Sequence, residues 1–289
     1  MLSKGDFFSA QNKFRQNAKN NPCFVTLNNL GLFYISEGME LSNGDVRNAT
    51  KIGLKYLKMA ESFEQSHLNL MAIGQVYFNQ KDYNTASDYF RRTCELSSHY
   101  INFNNLGVSL YMLRRYEEAS VYFQYALDQC NELDYSDIFP SKSTIYSSYA
   151  FSILQYNKEK SLEILRQMIK LDISHIEVDE FALAYLCNDL RSAVNLCQNM
   201  FDNWRVDIPV MAMVFDCLLD LEEKDEAEKY LNYQLKQLEG YSYNTKAEIN
   251  KVKKLFNQSD YRKKEISNFQ YIPPLMRYCY YADCKQHNS

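Results

Sequence analysis

Apolar and polar positions recur along this chain with helical spacing, and two stretches repeat each other. Leu70-Met71-Ala72-Ile73-Gly74-Gln75-Val76-Tyr77 leads through Lys81-Asp82-Tyr83 to Ala86-Ser87-Asp88-Tyr89-Phe90. Thirty-three residues on, Phe103-Asn104-Asn105-Leu106-Gly107-Val108-Ser109-Leu110 leads through Arg115-Tyr116 to Ala119-Ser120-Val121-Tyr122-Phe123. A small residue followed three places later by a large one (Gly74 and Tyr77, Gly107 and Leu110) lies along one helical face. A second such pair (Ala86 and Phe90, Ala119 and Phe123) stacks at i, i+4 on the next helix. The small residues let two helix axes approach, and the large ones fill the space beside the contact. Each unit is therefore predicted to be a helical hairpin, with Tyr83 or Tyr116 where its second helix begins.

The same opening occurs earlier as Thr26-Leu27-Asn28-Asn29-Leu30-Gly31-Leu32-Phe33-Tyr34, but its partner positions Gly53, Leu57 and Ala60 come ten residues late. This places a long turn insertion at 36–48, where Gly38 and Asn43-Gly44 favour a loop. Downstream the pattern weakens into hairpins from Ile145 to Leu171, from Glu177 to Phe201 with a turn at Asn188-Asp189, and one opened by Pro209 and stopped by Gly240. The expected organisation is a capping helix within 1–22, an array of five or six hairpins over 23–240, and a basic helix with an irregular tail over 241–289. Pro273-Pro274 bars a regular helix in that tail.

Composition narrows the picture. Only 8 Gly and 5 Pro stand in 289 residues, too few for the turns of a many-stranded β-fold, while 46% hydrophobic and 15% aromatic residues supply a core. No G-x-G-x-x-G or G-x-x-x-x-G-K-[ST] occurs, so nucleotide chemistry of those kinds is not expected. The net charge of −4 names no partner. No apolar run is long enough for a transmembrane helix. The N-terminal residues lack a secretory pattern, so the eight cysteines are read as thiols of a cytoplasmic protein.

Leu106-Gly107, Gly74-x-x-Tyr77, Ala86, Phe90, Ala119, Phe123 and Ala126 together resemble the tetratricopeptide repeat, a unit of about 34 residues. Residues 37–47 with 55–61 are similar to the related Sel1-like repeats, which lengthen the same turn. The resemblance implies an all-α, right-handed superhelical solenoid of stacked antiparallel helix pairs, whose concave groove is lined by the first helix of each pair. It further implies a non-enzymatic scaffold or adaptor that binds a peptide or helical segment there. By the same resemblance the inward positions are Val25, Asn28, Leu32 and Ile35; Leu68, Met71, Gln75 and Phe78; and Ile101, Asn104, Val108 and Tyr111. Asn29 and Asn105 lie beside them, at a place where related arrays hydrogen-bond the backbone of a bound peptide. None of the inward positions is basic, which argues against a clamp for acidic C termini. An apolar or aromatic partner segment is expected instead, with Met71, Phe78 and Tyr111 as anchors.

Other chemistry has little to stand on. The four histidines fall in no H-E-x-x-H, and neither G-x-S-x-G nor C-x-x-C occurs, so no catalytic residue and no cofactor is predicted. Cys279, Cys284 and His287 form a weak candidate metal set. The acidic run from Asp216 to Glu228 and the basic run from Lys246 to Lys264 read as solvated surface, and nucleic acid is not an expected partner. Two alternatives stay open beside the scaffold: a regulator whose curvature responds to a peptide, and a metal-binding protein using the C-terminal cysteines.

Overall fold

The computed structural model describes residues 4–41, 45–130, 142–170, 177–200, 207–239, 245–277 and 279–282; among them there is helix and no strand. The chain packs as two compact units, Met1–Pro140 with Pro274–Ser289, and Ser141–Pro273. In the first unit the helices are α1 (Lys4–Asn20), α2 (Phe24–Leu41), α3 (Val46–Glu61), α4 (His67–Asn79), α5 (Tyr83–Leu96), α6 (Tyr100–Met112) and α7 (Tyr116–Gln129). The second unit contains α8 (Lys142–Leu154), α9 (Lys158–Lys170), α10 (Glu177–Leu186), α11 (Leu190–Met200), α12 (Ile208–Asp220), α13 (Lys224–Glu239), α14 (Thr245–Asn257) and α15 (Ser259–Ser267). The architecture is all-α, built of stacked antiparallel helix pairs.

One turn recurs in four of the pairs. Lys81, Arg114, Asn188 and Glu222 each take positive φ, between 61° and 66°. In each case the next N–H reaches back to a carbonyl five residues earlier: Asp82 to Tyr77 at 3.0 Å, Arg115 to Leu110 at 2.9 Å, Asp189 to Ala184 at 2.9 Å and Glu223 to Leu218 at 2.8 Å. This bond closes a Schellman turn, which satisfies carbonyls the first helix leaves open. Four residues after that N–H, the small residues Ala86, Ala119, Ala193 and Ala227 are fully buried against the preceding helix. The small/large periodicity of the sequence is thus one hairpin geometry used repeatedly.

Helices pack closely at the glycines. A Cβ on Gly74 would meet the Phe90 ring at 2.6 Å, and one on Gly107 would meet the Phe123 ring at 2.9 Å. Gly31 and Gly53 bring backbone to backbone, because a Cβ on Gly53 would lie 2.7 Å from the Gly31 carbonyl oxygen. The insertion between these two glycines differs from the expected loop. The helices themselves lengthen, to 18 residues in α2 and 16 in α3, against 13 in α6 and 14 in α7. Residues 42–44 lie outside the described residues.

In the second unit, two residues expected on the solvated surface are core. Asp216 and Arg262 are each 7% exposed, with Arg262 Nε 3.2 Å from Asp216 Oδ1. Tyr185 donates to Asp216 Oδ2 at 2.7 Å, and Arg262 Nη1 donates to the carbonyls of Leu255 and Phe256 at 3.1 Å. A buried charge pair survives only when its remaining donors and acceptors are satisfied, and this network satisfies them while anchoring α15. After α15 the chain is irregular, as Pro273-Pro274 requires. Within this unit Tyr271 stacks on Phe151 with centroids 3.9 Å apart, and its hydroxyl lies 3.1 Å from Ser148 Oγ.

Candidate functional site

The first helices of three successive pairs, α2, α4 and α6, are neighbours in the first unit. Asn69 of α4 donates to Asn28 Oδ1 of α2 at 3.1 Å, and Asn105 of α6 donates to Met71 Sδ of α4 at 3.2 Å. Across these helices lies the irregular C-terminal segment of the same chain.

The segment is held mainly through its backbone. On α6, Asn104 Nδ2 donates to the Pro274 carbonyl at 3.2 Å, while Asn105 grips Met276 twice: its Nδ2 donates to the Met276 carbonyl at 2.8 Å, and its Oδ1 accepts the Met276 N–H at 2.8 Å. On α2, Asn28 Nδ2 donates to the Tyr280 carbonyl at 3.0 Å, while Asn29 grips Ala282 by the same double bond, at 3.1 Å to its carbonyl and 2.9 Å from its N–H. Within each pair the first amide also donates to the second, at 3.3 Å in Asn28–Asn29 and 3.2 Å in Asn104–Asn105. The two Asn-Asn motifs therefore perform the same chemistry on residues i and i+2 of the segment, displaced by six segment residues over two repeats. Two interaxial steps of 8–10 Å span roughly 16–20 Å, and six extended residues reach about 20 Å. Three residues per repeat is thus the advance that an extended chain makes across stacked helices.

Between the asparagine pairs the contacts change to side chains, because α4 carries Met71 and Ala72 at the corresponding places. Gln75, its amide oriented to satisfy both neighbours, donates to the Tyr280 hydroxyl at 3.0 Å and accepts from Arg277 Nη2 at 3.1 Å and Nε at 2.6 Å. Burial raises the Tyr280 hydroxyl above the ordinary phenol range, opposed by the nearby Arg277 cation, so it stays a neutral hydrogen-bonding group. Met276 is fully buried, and Ala282 joins a cluster with Ala18, Phe24, Leu27, Leu30, Tyr34 and Ala60. Tyr280 and Tyr281 pack on Leu32, Leu57, Ala72 and Ile73, and the Tyr281 hydroxyl lies 3.2 Å from Ser36 Oγ.

The residues singled out from the sequence fall into two groups. Asn28, Asn29, Gln75, Asn104 and Asn105 converge on the segment. Met71 and Val108 are fully buried, and Leu32 is buried beneath the segment's tyrosines. Phe78 and Tyr111 pack edge-on against Tyr83 and Tyr116 of their own hairpins, with centroids 5.0 and 5.1 Å apart, and burial raises the Tyr111 hydroxyl as well. The ligating residues that sequence reasoning missed are on the segment itself: Pro274, Met276, Arg277, Tyr280, Tyr281 and Ala282. Their only signal is the helix-breaking Pro273-Pro274. Cys279 belongs to the segment, whereas Cys284 and His287 lie outside the described residues. No group of three or more His, Cys, Asp and Glu is placed to hold a metal among the described residues. No helix among them is long and apolar enough to cross a membrane.

A family model for the tetratricopeptide repeat matches residues 103–131, which span most of α6 and all of α7. Two solved structures share the fold. The PilF protein of Pseudomonas aeruginosa is 19% identical with a TM-score of 0.53, the alignment covering 82% of this chain and 97% of that one. A tetratricopeptide repeat protein of Parabacteroides merdae is 16% identical with a TM-score of 0.55, covering 86% of this chain and 93% of the other. At these identities the likeness is one of fold. No curated protein sequence matches the chain.

Proposed function

We propose that this chain, a tetratricopeptide-repeat protein, is a non-enzymatic protein-interaction module whose inner helices bind an extended peptide of a partner by its backbone. The observation that carries the reading is the matched pair of Asn-Asn motifs, each gripping the N–H and carbonyl of one residue and the carbonyl of another two residues earlier. A side-chain amide that both donates and accepts reads a peptide bond whatever its side chain, so these motifs give affinity and register. Specificity then falls to the contacts between them. The lengthened first pair, which carries Asn28 and Asn29, is the part we relate to Sel1-like repeats. The reading places the protein in a reducing compartment such as the cytoplasm, where thiols persist.

Selection of peptides from a displayed random library against the full chain tests it. Measured in the full chain carrying Arg277→Ala/Tyr280→Ala, so that its own C-terminal segment competes less, the selected peptides should lose at least about tenfold in affinity when Asn29→Ala/Asn105→Ala is added at unchanged helicity, since each substitution removes two hydrogen bonds of about 1 kcal/mol each. Unchanged affinity in that variant refutes the assignment of the site.

A further inference from the structure

The site just described is already filled, by the chain that carries it. The filling is specific: two backbone grips, a buried thioether, an arginine and a tyrosine hydroxyl sharing one glutamine amide, and an alanine seated in an apolar cluster. A disordered tail that happened to lie on a helical face would not repeat its hydrogen bonds at a six-residue interval. We propose that residues 274–282 are an intramolecular pseudoligand, which closes the site to partners and spells the chemistry of the segment that displaces it. This rests on the peptide-binding reading above and adds the identity of the ligand and its control.

The displacing segment is an extended peptide with a long flexible apolar residue where Met276 lies, a cation at the Arg277 place, tyrosine three residues later and a small residue at the Ala282 place. Each requirement follows from a contact. The Met276 side chain is fully enclosed, so a charge there would be buried without a partner. Gln75 turns its amide oxygen to Arg277 and its nitrogen to Tyr280, so both residues are read by one group. Ala282 sits among Ala18, Phe24, Leu27 and Leu30, where a larger side chain meets core atoms. Beside them Tyr281 packs on the cluster of Leu32, Leu57, Ala72 and Ile73 and sets its hydroxyl 3.2 Å from Ser36 Oγ, so an aromatic residue is favoured at that place too.

Tethering makes the tail a strong competitor. A covalently attached segment acts at an effective concentration of the order of millimolar, so a free peptide with identical contacts reaches the site only when the tail is weakened or the peptide binds more tightly. This is a threshold: weak, near-matching segments are excluded, and a partner with one or two better contacts enters.

The test uses the full chain and a fluorescein-labelled nonapeptide copying residues 274–282 with Cys279→Ser. Fluorescence anisotropy would be measured against the wild type, against Met276→Asp, and against Arg277→Ala/Tyr280→Ala, a second tail variant that places no charge in the packing. The peptide should bind both tail variants at least about tenfold more tightly than the wild type, and adding Asn29→Ala/Asn105→Ala should abolish the gain. Equal affinity for wild type and folded tail variants, or no binding to either variant, overturns the pseudoligand. A scrambled nonapeptide binding as well as the true one overturns the stated motif. A wild type that is dimeric by light scattering, with both tail variants monomeric, overturns occupancy in cis by showing the tail exchanged between copies. In each of these cases library-selected peptides can still lose affinity to Asn29→Ala/Asn105→Ala, so failure here is distinguishable from failure of the peptide-binding site.

Discussion

Gly53→Ala tests how the first helix pair is held together, and with it the placement of Asn28 and Asn29. The added Cβ would lie 2.7 Å from the Gly31 carbonyl oxygen, 2.7 Å from Ile35 Cγ1 and 3.2 Å from Tyr34 Cβ. Ordinary contact between such atoms is near 3.5–4.0 Å, so α3 must retreat by about 0.8 Å or more, and the carbonyl it meets is backbone that cannot rotate away. Replacing a helical glycine by alanine gains about 1 kcal/mol in propensity. Overpacking of this kind costs about 1–3 kcal/mol, and contact with backbone puts this site at the upper end, so we expect net destabilisation of about 1–2 kcal/mol. Gly107→Ala is the control. Its nearest neighbours are Phe123 Cε1 at 2.9 Å and Cδ1 at 3.0 Å, atoms of a ring that can tilt, so its net cost should be smaller. Urea unfolding followed by circular dichroism reads both. A Gly53→Ala midpoint equal to or above that of the wild type would refute the backbone-contact account, and so would a larger loss in Gly107→Ala.

Two further predictions concern the second unit. Arg262→Met leaves the Asp216 carboxylate buried with Tyr185 as its remaining charge-assisted partner, and should cost about 3 kcal/mol in urea unfolding. The double variant Arg262→Met/Asp216→Leu should recover most of that loss, and a double variant as unstable as the single one would contradict the pairing. Asp179, raised from 3.8 to about 6 chiefly by burial, with the Ser147 hydroxyl opposing and Glu180 adding to the rise, keeps its proton to higher pH in the fold than in the unfolded chain. The fold therefore binds this proton more tightly than the unfolded chain, and stability falls as pH rises between those two values. Asp179→Asn should be more stable than the wild type by about 1–2 kcal/mol at neutral pH, after discounting for partial solvation, and no more stable below the lower value. A pH-independent difference would exclude this cause.

The hairpins were legible because their determinants are local. Gly74 and Phe90, or Gly107 and Phe123, meet within one helix pair, so spacing alone predicts the contact. Spacing could not place α15, whose ordering residue Arg262 finds Asp216 forty-six positions earlier; as letters, both belong to charge runs of the kind that usually face water. Nor could it show that the extra length of the first pair extends two helices. In the site, the asparagines stood out because Asn-Asn-Leu-Gly occurs twice, and resemblance gave them a role. What they hold was invisible, since the bonds span 170 to 253 residues and an extended segment read through its backbone leaves no periodic trace. Phe78 and Tyr111 looked like anchors because their positions face inward, but their rings are engaged by the tyrosines that open the following helices.

The central claim is that paired asparagines grip the backbone of an extended segment. Residue-resolved amide hydrogen exchange measures it most directly, because the Met276 and Ala282 N–H groups each donate to an asparagine Oδ1. Both amides should be protected in the wild type. Asn105→Ala should speed exchange at Met276 by tenfold or more, Asn29→Ala should do the same at Ala282, and the helical amides of α7 should be unchanged. Rapid exchange at both amides in the wild type, or protection that survives both substitutions, would contradict the account.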